Sequence, residues 1–238
     1  MAAKIAEEIR LLAVLNTPNA RAIRRKYSQM LKHTSPVFIL EVARELLKKY
    51  GYRSISYELI ANHPAAFQHI GEAELEELGQ GIDSWGSVDC FARTLAGPAW
   101  LKGQVSDELI RRWARSEDPW WRRAALVSTV ALNVRSHGGR GDPPRTLEVC
   151  RLSVKDHDEN VVKALSWALR ELVVHDAEAV AQFLSEYEQV LAARVKREVR
   201  NKLTTGLKNP RQKGKSTSTG KHIRPISSSN LPRRQPPG

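Results

Sequence analysis

Cysteine is nearly absent from this chain: Cys90 and Cys150 stand far apart, outside any CxxC or Cys/His spacing, which argues against a zinc site or a disulfide framework. No stretch approaches the roughly 18 consecutive apolar residues of a spanning helix. The start, Met1-Ala2-Ala3-Lys4-Ile5-Ala6-Glu7-Glu8, breaks its apolar residues with charge, so it does not read as a leader. Strand-like alternation bounded by tight turns is missing. So are a Ser/His/Asp or Cys/His arrangement and a metal-ligand pair at helical spacing. Lys102-Gly103 and the glycines near 138 lack the following helix that a phosphate loop requires. These absences remove the usual nucleophilic hydrolase, and the expectation is a soluble, cytoplasmic protein with no metal or redox cofactor.

Aromatic residues are sparse at 6%, yet six of them are Trp against four Phe. Acid is scarce at one end only. Residues 201–238 carry nine bases (Lys202, Lys208, Arg211, Lys213, Lys215, Lys221, Arg224, Arg233, Arg234) and no Asp or Glu. The whole chain has 38 Lys+Arg against 26 Asp+Glu, a net +12, so the body holds 38 − 9 = 29 bases and is only mildly basic, about +3. A basic tail alone is a non-specific polyanion arm; function has to come from the body.

Helical periodicity runs almost throughout. Ile5, Ile9, Leu12 and Leu15 mark one face of a first helix. Thr17-Pro18 and Ser35-Pro36 each put a hydroxyl before a proline, predicting helices from there to about His33 and to Tyr50, the second ended by Gly51. Further helices are predicted near 52–61, 72–79, 86–96, 106–115, 119–133, 144–153, 159–174, 177–187 and 189–204. Asn133 to Pro144, rich in glycine, reads as a flexible surface loop. Beyond Gly206 the composition predicts disorder, giving a 1–206 domain and a 207–238 basic tail. Asp118-Pro119-Trp120-Trp121-Arg122-Arg123-Ala124-Ala125 aligns with Asp158-Glu159-Asn160-Val161-Val162-Lys163-Ala164-Leu165 forty residues later, an interval of the HEAT and armadillo class. The expected architecture is therefore all-α, helical repeats stacked as an α-α superhelix with a concave basic face.

Four residues stand out near predicted helix starts: Trp85 and Asp89, one turn apart on one face, then Arg123 and Trp167. A carboxylate with two indoles and a guanidinium suits a cationic, phosphate-bearing substrate. Each also has a plainer reading, the tryptophans as core and Asp89 or Arg123 as half of an ion pair, Arg123 with Asp118 or Glu117. Trp100 and Trp113 fit inter-helix packing. Trp120 and Trp121, about 100° apart on a helix, cannot both face the core.

Ser84-Trp85-Gly86-Ser87-Val88-Asp89, Trp121-Arg122-Arg123-Ala124-Ala125 and Lys163-Ala164-Leu165-Ser166-Trp167-Ala168-Leu169-Arg170-Glu171, in this order and spacing, closely resemble the AlkD-like DNA alkylation repair family of HEAT-like DNA glycosylases. The likeness runs from about Gly81 to Leu203. It departs at Gly86, where an acidic residue is usual, and at Ser84, often aromatic. The resemblance implies that Asp89 is the catalytic carboxylate, that Trp85 and Trp167 are paired indoles against the damaged nucleotide's sugar, and that Arg123 holds the DNA backbone. It also implies that the lesion is processed while still stacked.

The chemistry agrees with the residue types. A purine alkylated at N3 or N7 is cationic and leaves readily, so what remains is stabilising the oxocarbenium character of the sugar and orienting water, work for a carboxylate. Phosphate contacts are expected from Arg123, Lys163, Arg122 and a helix carrying Arg194, Lys196, Arg197 and Arg200. The expected partner is duplex DNA with alkylated bases, bound by a monomer and without cofactor. The alternatives are a non-catalytic reader of damaged or branched DNA, and a helical-repeat scaffold for another protein.

Overall fold

The computed structural model describes residues 1–14 and 16–210, and of residue 137 the backbone alone. Leu15 and the tail from Arg211 onward, on which the expectation of disorder mostly falls, lie outside the described residues. Among the described residues fourteen α-helices follow in chain order: α1 Ala2–Arg10, α2 Thr17–Met30, α3 Pro36–Tyr50, α4 Arg53–Ala61, α5 Pro64–Gln68, α6 Glu72–Gly79, α7 Trp85–Phe91, α8 Gly97–Leu101, α9 Asp107–Ala114, α10 Pro119–Asn133, α11 Pro143–Leu152, α12 Glu159–Leu172, α13 Ala177–Glu186 and α14 Ala193–Thr205. No strand occurs among the described residues.

Short polar side chains start many of these helices by accepting the first free N–H groups. Ser35 Oγ accepts from Phe38 N at 3.2 Å, as its sequence predicts. Asp118 and Asp158, the repeated positions, accept from Trp120 N and Asn160 N, each at 2.8 Å. For α2 the cap is Asn16, one residue earlier than the expected Thr17: its Oδ1 accepts from Asn19 N at 2.9 Å, which moves Pro18 to the second helical position. Gly51 closes α3 at φ +72°, where a side chain would be strained.

The helices stack in two layers, consistent with an α-α solenoid. In one row α2, α4, α7, α10, α12 and α14 each pack on the next, while α3, α9, α11 and α13 back them from the other layer. The apolar stripe of α12 (Val161, Ala164, Leu165, Ala168, Leu169, Leu172) is wholly buried, the pattern its period requires. Trp100 and Trp113 lie in the core as expected. Trp120 and Trp121 are both half-buried, and Trp121 slots between Trp113, at a ring separation of 4.8 Å, and Phe91, at 6.0 Å. The core divides in two. A smaller cluster under α1 to α5 is separate from the main one that runs from α3 to the last helix.

Two stretches differ from the sequence reading. The helix predicted to end at 96 continues through a π-helical turn, Ala92–Ala96, into α8. Pro98 cannot donate a bond back, and the Gly97 N–H reaches Ala92 O instead. Gly97 also lets α8 lie against α10, since a Cβ there would stand 2.7 Å from Ser128 O and 2.8 Å from Ala131 Cβ. Gly97→Ala is therefore expected to lower the unfolding free energy by about 1–3 kcal/mol, read from the urea midpoint; an unchanged midpoint would mean that α8 and α10 are not in close contact.

The glycine-rich loop after α10 is tied down rather than loose. Buried Asn133 donates to Thr146 Oγ1 at 2.9 Å and accepts from Asp142 N at 3.1 Å. His175 Nε2 donates to Asn133 O at 2.6 Å. Gly139 is needed because a Cβ would meet Ala131 O at 2.4 Å. Composition identified a loop, but the buried amide that pins it is visible only in three dimensions.

Candidate active site

Helix α7 is entered through two serines. Ser87 N donates to Ser84 Oγ at 3.4 Å and Ser84 N to Ser87 Oγ at 3.2 Å, a capping box in which Ser87 takes the place of the usual Glu or Gln. A Cβ on Gly86 would meet nothing within 4 Å, so neither departure from the family pattern disturbs the entry. Val88, Phe91, Ala92 and Leu95 are fully buried, an i, i+3, i+4, i+7 set that faces the core. That leaves Trp85, Asp89 and Arg93 at successive i+4 steps on a flank of the same helix.

The flank opens on a cleft of about 1010 Å³. Its walls are the start of α2 (Asn16, Arg21), the α3–α4 turn with the α4 face (Tyr52, Arg53, Glu58) and the α7 segment (Trp85, Asp89, Arg93). The cleft sits where the two core clusters part, since Ile9 and Ile55 of the smaller one line it beside α7 of the larger. Trp85 stands on its rim, 66% exposed.

Asp89 and Arg123 form a bidentate pair. Nε donates to Oδ1 and Nη2 to Oδ2, both at 2.9 Å. Arg123 Nη1 donates to the Asn160 carbonyl at 2.5 Å, so one guanidinium joins α7, α10 and the first turn of α12. The Arg123 side chain is 6% exposed and that of Asp89 19%. Arg123 was expected on the groove surface, holding DNA, or in a surface pair with Asp118 or Glu117. It lies instead beneath Asp89 with three donors committed to protein acceptors. The fifth position of α10 turns toward α7, not toward solvent.

Trp167 is half-buried, donates Nε1 to Glu171 at 2.8 Å and lies under the guanidinium of Arg93 at 5.5 Å from its ring centroid. Arg93 lines the cleft, so it links the Trp85–Asp89 flank to the α12 tryptophan. Nothing in the sequence singled out Arg93; continuing the i+4 steps from Trp85 and Asp89 would have found it. Glu58, also missed, is buried on α4 and accepts from Arg21 Nε at 2.8 Å and Arg24 Nε at 3.0 Å. Its partners lie 34 and 37 residues away, so no local pattern could reveal it.

The remaining predicted cations fall into separate settings. Arg122 is partly buried, donating to Asp156 Oδ2 at 2.6 Å and to the Ser116 and Glu117 carbonyls at 2.9 and 2.8 Å. Lys163 pairs with Glu159 at 2.9 Å, and that lysine holds the Glu159 carboxyl below its ordinary range. Arg194 and Arg197 approach Glu198, whereas Lys196 and Arg200 turn to Glu188. Next to Asp89, burial pushes the Cys90 thiol up, so this cysteine offers no thiolate nucleophile near neutral pH.

Among the described residues no group of three His, Cys, Asp or Glu side chains could hold a metal ion, and no helix is long and apolar enough to cross a membrane. The arrangement presents a fixed carboxylate and one indole, Trp85, at a cleft, with Arg93 joining that cleft to Trp167, which does not itself line it. No curated protein and no solved structure matches the chain. The model of the family described as DNA alkylation repair enzyme matches residues 1–203. With that match over most of its length, the chain belongs to the DNA alkylation repair enzyme family.

Proposed function

We propose that the protein is a monofunctional DNA glycosylase that hydrolyses the N-glycosidic bond of cationic alkylpurines, N3-methyladenine and N7-methylguanine, in duplex DNA and leaves an abasic site. Residues 1–206 form the catalytic unit and 207–238 a basic arm. The observation that carries this reading is Asp89, fixed by Arg123 at the wall of a cleft whose rim is Trp85. A carboxylate offers about four lone-pair directions. Arg123 occupies two, leaving the others for an attacking water and for the sugar.

The purine departs as a neutral base because its alkyl group already supplies the positive charge, so no general acid is required. Asp89 stabilises the oxocarbenium character as the bond lengthens, in a site where its orientation is set before reaction. Trp85 adds an indole face worth roughly 0.5–2 kcal/mol toward a developing cation, and Trp167, whose ring carries Arg93, acts through that guanidinium. Arg93, stacked on Trp167, draws the phosphate next to the lesion toward the cleft. Arg123 acts here as the positioning residue for Asp89.

Incubation of the full chain with methylated duplex, followed by chromatography of the liberated bases, tests this reading. Release of free 3-methyladenine and 7-methylguanine is expected. Retention of the duplex at low salt without release would make the protein a reader of DNA structure, and failure to retain it would favour a protein-binding scaffold.

A further inference from the structure

One turn beyond Trp167, at the seam of α12 and α14, a single carboxylate gathers an unusual share of positive charge. Glu198 is buried, 2% exposed, in the middle of α14. Its Oε2 accepts from Ser166 Oγ at 2.7 Å. Arg170 Nε stands 3.9 Å and Lys208 Nζ 3.4 Å from the same oxygen, and Arg194 and Arg197 stand 3.6 and 3.9 Å from Oε1. A buried carboxylate needs such partners, since leaving it unpaired is costly.

Three of these cations are collected without being used up, while Arg170, largely buried, also donates Nε to Ser166 Oγ at 3.3 Å. At 3.4–3.9 Å they are held by Coulomb attraction rather than by short hydrogen bonds. Among the described residues, Arg194 and Arg197 donate no hydrogen bond to the protein. Their neighbours on α14 differ: Lys196 donates to Glu188 O at 2.9 Å, and Arg200 is closed onto the Glu188 carboxylate. The carboxylates near the cluster are Glu159, 3.6 Å from Arg194 and already paired with Lys163, and Glu171, bonded to Trp167. Positive charge exceeds negative at this seam, and the side chains of Arg194, Arg197 and Lys208 remain 36%, 61% and 42% exposed.

We infer that Glu198 is a positioning residue for a DNA-phosphate subsite formed by Arg170, Arg194, Arg197 and Lys208, beside Trp167 and separate from the Asp89 cleft. This rests on the proposed action on DNA and divides the basic helix by role: Arg194 and Arg197 meet the backbone, while Lys196 and Arg200 serve the α13–α14 connection. Glu198 fixes the spacing of the cations from below, so that their free N–H groups can be satisfied by phosphate oxygens.

The sign of one substitution separates positioning from mere charge. Removing an acid beside bound DNA should tighten binding if only net charge matters. Positioning predicts the opposite. For Glu198→Gln in the full chain, anisotropy titration of an unmethylated and a methylated duplex across a salt series is expected to show about 3- to 10-fold weaker binding. The slope of log K against log salt should fall by about one contact. Equal or tighter binding by a variant that melts like the parent overturns the inference.

Should Glu198→Gln fail to fold, paired surface variants decide. Arg194→Gln/Arg197→Gln is expected to lose at least tenfold and about two contacts of slope, and Lys196→Gln/Arg200→Gln less than threefold; equal losses in the two pairs overturn the division. Base release is scored separately on the methylated duplex. Absent release with Glu198-dependent binding removes the glycosylase reading alone. Release together with unchanged or tighter binding by Glu198→Gln removes this inference alone, and no duplex binding at low salt by the parent removes both.

Discussion

Asp89→Asn is expected to lower release of 7-methylguanine from methylated duplex by about 10²- to 10³-fold, the loss typical of removing one preorganised electrostatic group from a transition state. Duplex affinity should change by less than about threefold, because Asp89 meets the reacting sugar and not the phosphate chain. The substitution is nearly isosteric, and the amide oxygen can still accept from Arg123. Circular dichroism and the melting temperature of the variant separate a chemical loss from a folding loss. Asp89→Glu gives the complementary result: the charge is retained but displaced by one methylene, so release should recover only in part. Release by Asp89→Asn within about threefold of the parent would remove Asp89 from the mechanism and leave it as a helix tie.

The helix-tie role is a real competitor, since Asp89 is not alone in being a paired carboxylate on this row. Glu58 on α4 is held by Arg21 and Arg24 of α2, and Glu198 on α14 by Ser166 and Arg170 of α12. Each ties one helix of the row to its neighbour, and pairing therefore does not identify a catalytic group. Access does. The Asp89 side chain is 19% exposed, against 11% for Glu58 and 3% for Glu198, and it alone of the three shares a helix flank with a rim tryptophan. Glu58 lines the same cleft, but each of its oxygens accepts from a different guanidinium, one of them, Arg21, lying toward solvent.

The sequence already contained the helix positions, because apolar period and capping residues are local properties. α3 and α10 begin and end at the predicted residues, and the Asp118/Asp158 repeat proved to be two equivalent caps. What escaped was set by distance along the chain. The short helices α5 and α8 hold too few residues to show a period, and the π turn before Pro98 depends on how α8 lies against Ser128 and Ala131. At the site, Trp85 and Asp89 were legible because they are four residues apart. The partner of Asp89 was not, since Arg123 lies 34 residues on, and an arginine beside Asp118 and Glu117 offers closer acids in sequence. Arg194, Lys196, Arg197 and Arg200 of α14 looked equivalent in sequence; only the positions of Glu188 and Glu198 separate them.

Arg123→Ala is expected to be the most destabilising of the substitutions considered, by about 3–5 kcal/mol, because it strands a partly buried carboxylate without its counter-charge. It also deprives the Asn160 carbonyl of its donor, so the α7, α10 and α12 seam loses its shared anchor at once. The readout is the urea midpoint with an unchanged m-value. Arg123→Lys keeps the charge but presents one compact ammonium where three directed donors reach Oδ1, Oδ2 and the Asn160 carbonyl, so a loss of about 1–3 kcal/mol is expected. Combining Arg123→Ala with Asp89→Asn should cost less than the sum of the two, by about 0.5–3 kcal/mol, as befits groups in direct contact. A shift below about 1 kcal/mol for Arg123→Ala would mean a solvated surface pair, and Asp89 would then lack the rigid support that the proposed chemistry needs. The alanine variant, measured where it remains folded, weighs the two roles of Arg123. If its donors serve Asp89 and Asn160, the salt dependence of duplex binding should be unaltered; if they hold a phosphate, the slope should fall by about one contact.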